Sequence, residues 1–115
     1  MGNLKKAFGG RYESIIWIPN DDFKFKSGRP QDLISVPRVP PYKLIHPNEK
    51  PVELLEFLIK KTTSQNATVL DCFMGSGSTG VACINTNRNF IGIELDEKYY
   101  KIAEERINSA IKQTT

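Results

Sequence analysis

The sequence has little of what several classes of protein require. It contains one histidine, His46, and two cysteines, Cys72 and Cys83, too few for a Cys/His zinc site or a secreted disulfide framework. His46 lies in a proline-flanked segment, which argues against a hydrolase triad. No apolar run approaches the roughly 18 residues of a membrane span, and residues 1–10 hold no apolar export region. These absences predict a cytoplasmic protein with reduced, buried thiols and no bound metal.

The composition is that of one globular domain. Of the 115 residues, 39% are apolar and 25% are charged, which is enough for a core and unlike a disordered chain. The net charge of +3 is unevenly distributed. Residues 1–50 contain nine Lys and Arg against five Asp and Glu, whereas residues 51–115 contain seven against eight. The basic bias of the N-terminal part is compatible with a phosphate-rich partner and equally with plain solubility.

Proline divides the chain into two parts, because all seven prolines lie within residues 19–51. In this part, residues 14–18 are an apolar run typical of a strand. Residues 23–26 alternate like an edge strand or an arm, and residues 32–36 are a further candidate strand. The spacing of the prolines enforces extended backbone between these runs. Residues 1–45 are therefore predicted to form an irregular, basic segment.

Beyond Pro51 the pattern predicts alternating helices and strands. A helix begins near Pro51 with Asn48 as its cap, and apolar strands follow at residues 67–71 and 89–94. A glycine-rich turn and a short helix separate these strands, and Asp96 is expected to cap the last helix. A strand, helix and strand over about thirty residues predicts a right-handed βαβ unit with parallel strands. The predicted fold class is α/β, with part of a Rossmann-like parallel sheet.

Each predicted strand ends in a carboxylate, Asp71 or Glu94, and ligands of open α/β sheets bind beyond this end of the strands. Gly75, Gly77 and Gly80 match the dinucleotide pattern G-x-G-x-x-G, and no lysine follows as a P-loop requires. A carboxylate at the turn repels a pyrophosphate but attracts the amino and sulfonium groups of S-adenosyl-L-methionine (SAM). Glu94 suits the hydroxyls of a ribose. The charges favour SAM, with a dinucleotide as the rival ligand.

Three strings resemble the motifs of one enzyme family. Residues 71–79, D-C-F-M-G-S-G-S-T, resemble motif I of SAM-dependent DNA amino-methyltransferases. Residues 90–100 resemble motif II, and residues 46–51, H-P-N-E-K-P, resemble motif X. Motif X upstream of motif I is typical of the permuted β class, which methylates N6 of adenine or N4 of cytosine. The resemblance, which covers residues 10–108, implies the Rossmann-like fold of a SAM methyltransferase.

The resemblance also implies that two segments of the chain have different functions. Residues 1–45 would be the end of a target-recognition region and a connector, and residues 46–115 would bind SAM. Asp71 would bind the amino group of SAM, Phe73 would line the pocket, and Glu94 would hold the ribose. The implied cofactor-binding residues are His46, Pro47, Lys50, Pro51, Asp71, Phe73, Gly75, Ser76, Gly77, Ser78, Thr79 and Glu94. The candidates for contacts with DNA phosphates are Lys24, Lys26, Arg29 and Arg38.

The sequence departs from the family at its catalytic motif. In that class a D-P-P-Y or S-P-P-Y motif hydrogen-bonds the target amino group and stacks on the flipped base. This chain has P-P-Y at residues 40–42, but Val39 precedes it and motif X follows directly, so it is interpreted as an extended linker.

The resemblance thus implies the C-terminal part of a restriction-modification DNA methyltransferase that is inactive alone. Its implied partners are double-stranded DNA and either a complementing N-terminal half or a second copy. The alternatives are a catalytically dead remnant acting as a binding module, and a nucleotide-binding Rossmann half.

Overall fold

The computed structural model describes residues 13–25, 28–30, 33–37, 39–46 and 49–114. Among these residues, no helix is both long and apolar enough to cross a membrane. A short 3₁₀-helix and three α-helices accompany two strands in the described ranges. In chain order they are the 3₁₀-helix Pro41–Lys43, α1 (Val52–Thr62), β1 (Thr68–Asp71), α2 (Ser78–Asn85), β2 (Asn89–Gly92) and α3 (Glu97–Thr114).

The two strands pair in parallel, as the βαβ pattern predicts. Thr68 lies opposite Asn89, and Asp71 lies opposite Gly92. The second strand ends two residues earlier than predicted, although the Ile93 N–H still donates to the Asp71 carbonyl at 2.9 Å. Beyond Asp71 the chain forms a turn rather than a strand, and the Met74 N–H of this turn donates to the Ile93 carbonyl at 3.0 Å. Both strands therefore end at the same edge of the sheet.

Helix α2 lies at the centre of the packing. Its Ala82 and Cys83 are fully buried and form the core with Ile59 of α1, while Val69 of β1 packs against this cluster. The small residues of α2 bring it close to its neighbours. A Cβ at Gly80 would lie 2.8 Å from atoms of both Ile107 and Phe90, so only glycine permits this approach of α2 to α3 and β2.

Only one face of the sheet is covered among the described residues. Val69 and Phe90 face the helices, whereas Leu70 and Ile91, paired across the strands, are more than half exposed. Ile93 continues the exposed row with the two-residue period of a strand. We call Leu70, Ile91 and Ile93 the open sheet face.

The strands predicted at residues 14–18 and 32–36 are wrong for the residues that the structure describes there. Residues 14–18 and 33–36 form no strand. Residues 23–25 form no strand either, which leaves the arm as the other interpretation, and Lys26 and Asp32 lie outside the described residues. A strand requires a neighbour for its backbone hydrogen bonds, and within the described chain β1 and β2 pair only with each other. Ile16 and Ile18 are consequently 85% and 84% exposed.

The helix caps follow the sequence in one case and depart from it in another. The Asp96 carboxylate accepts a hydrogen bond from the Tyr99 N–H at 3.1 Å, which confirms Asp96 as the cap of α3. Pro51 occupies the N-cap position of α1 with no side-chain cap bond. Asn48, the predicted cap, lies outside the described residues.

Candidate functional site

The two carboxylates that end the strands both bind the chain that follows them. Asp71 accepts hydrogen bonds from the Thr79 hydroxyl at 2.7 Å and from the Phe73 N–H at 3.0 Å. Glu94 accepts hydrogen bonds from the Gly75 N–H at 2.8 Å and from the Asp96 N–H at 2.9 Å. Both carboxylates therefore stabilise the turn between β1 and α2. They lie at the same edge of the sheet, as their positions at the ends of the two predicted strands imply.

The glycine turn between β1 and α2 is buried and has left-handed backbone at two positions. Gly75 has φ +55° and Gly77 has φ +88°, a conformation that side chains disfavour. A Cβ at Gly77 would also lie 2.8 Å from that of Ala103, so the turn packs directly on α3. Ser76 and Ser78 are buried here, and Ser78 begins α2. Gly80, the third glycine of the string, belongs to α2 rather than to the turn.

His46 lies over this turn, which brings the motif X string beside the motif I string. Its Cδ2 atom would be 3.2 Å from a Cβ built on Gly75, and its ring centroid lies 4.4 Å from that of Tyr99. Lys50 points elsewhere: its Nζ forms an ion pair with Glu13 Oε1 at 2.7 Å. Pro47, the next residue expected to cover the pocket, lies outside the described residues.

Apolar and thiol side chains border the same edge. Phe73 follows β1 and is 90% exposed, so a ligand can still bury it. Cys72 is also exposed, which corrects the expectation of two buried thiols, because the chain has already left the sheet at that residue. Cys83 is buried, and burial raises the pKa of its thiol from the usual 9.0 to about 11.

A polar cluster beside the turn was missed by the sequence reasoning. Glu49 Oε1 accepts a hydrogen bond from the Ser76 hydroxyl at 3.1 Å and lies 3.7 Å from Arg106 Nη1. Arg106 Nη1 donates to the Ser76 carbonyl at 2.9 Å. The one available signal was the helical spacing of Arg106 from two small residues of α3, Ala103 and Ala110, which are three and four residues away. We call Glu49, Ser76 and Arg106 the 49–76–106 cluster.

The residues proposed for DNA contact are spread over the N-terminal part. Lys24 is exposed beside Phe23 and Phe25, whose rings pack on Trp17 with centroids 4.9 and 5.8 Å away. Arg29 is exposed at an open groove bordered by residues of α1. Lys26 and Arg38 lie outside the described residues. The string expected to be an extended linker instead forms the 3₁₀-helix Pro41–Lys43, because one turn of helix satisfies the Lys43 N–H on the Pro40 carbonyl.

The site combines two fixed negative charges with exposed apolar surface. Within the described ranges, no group of three or more His, Cys, Asp or Glu side chains could hold a metal ion. At the end of β1, the N–H groups of Phe73 and Gly75 donate to the two carboxylates, and that of Gly77 donates to the Met74 carbonyl. This edge is suited to a cationic ligand with a flat, apolar portion.

Comparison with known sequences places this chain beside bacterial DNA-modifying enzymes. A family model described as DNA methylase, of the N6/N4 type, matches residues 9–105. The type II methyltransferase M1.MboII of Moraxella bovis is 34% identical over 99 residues, which cover 80% of this chain and 37% of that protein. The type II methyltransferase M2.LlaDCHI of Lactococcus lactis subsp. cremoris is 46% identical over 63 residues, 55% of this chain and 23% of that protein. The chain thus spans less than two fifths of either relative's length.

Solved structures of DNA methyltransferases also resemble this chain. The crystal structure of an M1.HpyAVI–SAM complex matches with a TM-score of 0.64 and 41% identity, over 75% of this chain and 43% of that chain. A DNA modification methylase of Thermus thermophilus, complexed with SAM, matches with a TM-score of 0.52 and 34% identity, over 54% and 26% of the two chains. The predicted α/β fold, with part of a Rossmann-like parallel sheet, is confirmed.

Proposed function

This chain belongs to the DNA methylase family whose model spans residues 9–105, and from that premise we propose that it is the SAM-binding portion of a DNA methyltransferase. The activity served is methylation of an exocyclic amino group, N6 of adenine or N4 of cytosine, in double-stranded DNA. SAM supplies the methyl group, on a sulfonium. The observation that carries the proposal is the pair of carboxylates, Asp71 and Glu94, that accept hydrogen bonds from the turn between β1 and α2.

The residues at the turn fit the parts of SAM. Each oxygen of the Asp71 and Glu94 carboxylates carries one described hydrogen bond and can accept another. Asp71 therefore binds the amino group of the ligand, and Glu94 accepts the ribose hydroxyls. The exposed Phe73 ring packs against the ligand and loses its contact with water. His46 covers the turn at Gly75.

The same contacts argue against a dinucleotide. A pyrophosphate binds at the start of the helix after the glycine turn. Here it would have to approach the negative charges of Asp71, whose carboxylate binds the Thr79 hydroxyl in the first turn of α2, and of Glu94, which binds the Gly75 N–H. SAM carries no phosphate, so these carboxylates do not repel it.

The chain alone binds the cofactor but does not transfer the methyl group. Its sequence contains no D-P-P-Y or S-P-P-Y string, and Tyr42 follows V-P-P in an exposed 3₁₀-helix. Transfer needs a catalytic strand from outside this sequence, and a second copy of the chain, which lacks the same motif, would only cover the sheet. The basic N-terminal part, with Lys24 and Arg29 exposed, contributes phosphate contacts to the assembly.

The first prediction tests the ligand by titration calorimetry of the purified chain. We expect binding of SAM and of S-adenosylhomocysteine, and none of NAD. The substitution Asp71→Asn keeps the size of the side chain but removes its charge, and should weaken SAM binding by about tenfold, the order of one charge-assisted hydrogen bond. Glu97→Gln, an exposed carboxylate in the first turn of α3, is the matched control and should change nothing.

Two calorimetric outcomes would contradict the proposal. Tighter binding of NAD than of SAM would favour the nucleotide-binding Rossmann half, and the absence of any heat of binding with millimolar S-adenosylhomocysteine would rule out the cofactor site.

A separate measurement, methyl transfer from labelled SAM to DNA, distinguishes a SAM-binding portion from a complete enzyme. Robust transfer by the chain alone would contradict the need for a second polypeptide.

A further inference from the structure

The 49–76–106 cluster takes no part in the contacts assigned so far, yet it is the most buried set of charges beside the turn. The side chain of Glu49 is 6% exposed and that of Arg106 is 23% exposed. A charge removed from water in this way is stable only with partners. Glu49 has them in the Ser76 hydroxyl and in the Arg106 guanidinium, which donates to both the carbonyl and the hydroxyl of Ser76.

The cluster joins three segments that are distant in sequence. Glu49 precedes α1, Ser76 lies in the glycine turn, and Arg106 lies in the middle of α3. Ser76 is itself 2% exposed, so its hydroxyl and carbonyl have no water to replace these partners. The glycine turn is consequently fixed from outside the βαβ unit, in addition to its contacts with Asp71 and Glu94.

Glu49 also organises the segment that carries His46. Glu49 Oε1 accepts a hydrogen bond from the Ile45 N–H at 3.3 Å, and the Glu49 N–H donates to the His46 carbonyl at 3.0 Å. These bonds hold both sides of His46, which lies over Gly75 and against the Tyr99 ring. One carboxylate therefore binds both the segment that carries His46 and the turn that His46 covers.

We propose that Glu49 and Arg106 are positioning residues that hold His46 over the glycine turn, and that ligand affinity depends on them. The claim about affinity rests on the proposed function, since it concerns the adenosyl ligand. The claim that the two residues position His46 concerns the chain alone. Glu49 acts by fixing the distance between two walls of the pocket, and Arg106 acts by holding Ser76 in the orientation that Glu49 binds.

The position of His46 can be measured directly, because it is the single histidine of the chain and its imidazole proton signals in an NMR spectrum are unique. In the wild-type chain the nearby Tyr99 ring should shift these signals away from those of a free histidine. Glu49→Gln keeps the size of the side chain but loses the charge that Arg106 and Ser76 bind. In this variant the signals should move towards the free value, while circular dichroism shows the helices intact.

The affinity for S-adenosylhomocysteine is the second readout. In Glu49→Gln and in Arg106→Gln we expect binding about tenfold weaker than in the wild type, the order of one lost bond to a charged group. Ser76→Ala removes only the hydroxyl and should produce the same shift of the His46 signals. This variant replaces Glu49→Gln or Arg106→Gln in the test if either of them fails to fold. Glu53→Gln, an exposed carboxylate four residues along in the first turn of α1, is the matched control and should match the wild type.

The outcomes separate the two claims. His46 signals that are unchanged in folded Glu49→Gln, Arg106→Gln and Ser76→Ala would overturn the positioning role. If the His46 signals shift but the affinity for S-adenosylhomocysteine is unchanged, the position of His46 does not determine ligand binding. If the wild-type chain binds no S-adenosylhomocysteine, the proposed function fails, and the His46 signals alone decide whether the cluster positions the segment.

Discussion

Carboxylates at this sheet edge bind backbone N–H groups, so they contribute to the fold as well as to a ligand site. Glu94 accepts hydrogen bonds from the N–H groups of Gly75, which is buried, and of Asp96, which is exposed. A buried N–H without a partner, as at Gly75, costs about 1–3 kcal/mol. A substitution at Glu94 therefore loosens the turn as well as removing an acceptor for the ribose.

The two thiols differ in environment and should differ in reactivity. Cys72 is exposed and should react with iodoacetamide at pH 8, whereas Cys83 should not react until the chain unfolds. Burial raises the pKa of the Cys83 thiol to about 11, so its reactive thiolate is scarce at that pH. Mass spectrometry of labelled peptides measures both sites, and Cys72→Ala, which removes the fast site, is the control. Rapid double labelling of the folded chain would contradict this assignment.

The raised pKa also has a consequence for stability against pH. The folded chain favours the neutral Cys83 thiol more than the unfolded chain does. This contribution is complete below the ordinary thiol pKa and is lost as the pH rises through about 11. Urea unfolding at pH 8 and pH 10.5 should therefore show a lower midpoint at the higher pH, and Cys83→Ala should reduce this difference.

At the scale of the elements, the close packing of α2 on its neighbours limits what its residues can be. Gly80→Ala would place a methyl group 2.8 Å from atoms of Phe90 and Ile107, below any normal contact. We expect a loss of about 1–3 kcal/mol in the free energy of unfolding, the usual cost of overpacking. Urea denaturation measures it. Val81→Ala, on the same helix and half-buried, is a comparison that removes volume instead of adding it.

Local signals predicted the elements from α1 to α3 because each of them is specified by nearby residues. The apolar run of β1, the glycine turn and the Asp96 cap all lie within a few residues of what they determine. Residues 14–18 have the same strand-like composition but form no strand, because pairing depends on a neighbour that local sequence does not name. The bond between Glu49 and Ser76 spans 27 residues and was invisible for the same reason.

At the scale of the whole molecule, the open sheet face is the surface that the proposed second polypeptide is expected to cover. Leu70, Ile91 and Ile93 are more than half exposed on one side of a two-stranded sheet. Burying such apolar side chains favours association. The relatives that match this chain are more than twice as long, which gives the proposed second polypeptide enough length to cover it.

The corresponding prediction uses a polypeptide with a D-P-P-Y strand, taken from the N-terminal part of a permuted methyltransferase. Mixing it with this chain should give a stable complex by light scattering and methyl transfer that neither component has alone. Ile91→Lys should weaken the complex by at least about tenfold, since burying an isoleucine contributes about 1.5–3 kcal/mol. Binding of S-adenosylhomocysteine should be unchanged.

The control for this prediction is Ile111→Lys, which alters an exposed isoleucine on α3, away from the sheet. It should leave the complex intact. A compact, monodisperse monomer that ignores the second polypeptide would contradict the docking of a partner on the open sheet face. A concentration-dependent dimer of the chain itself would identify a second copy as the occupant.

The bonds that Asp71 and Glu94 make to the glycine turn have a consequence for the lifetime of the protein in a cell. Because those bonds stabilise the native state, a substitution that removes either carboxylate also makes the protein easier to degrade. A lower cellular abundance of such variants would therefore follow from folding alone, with no ligand involved.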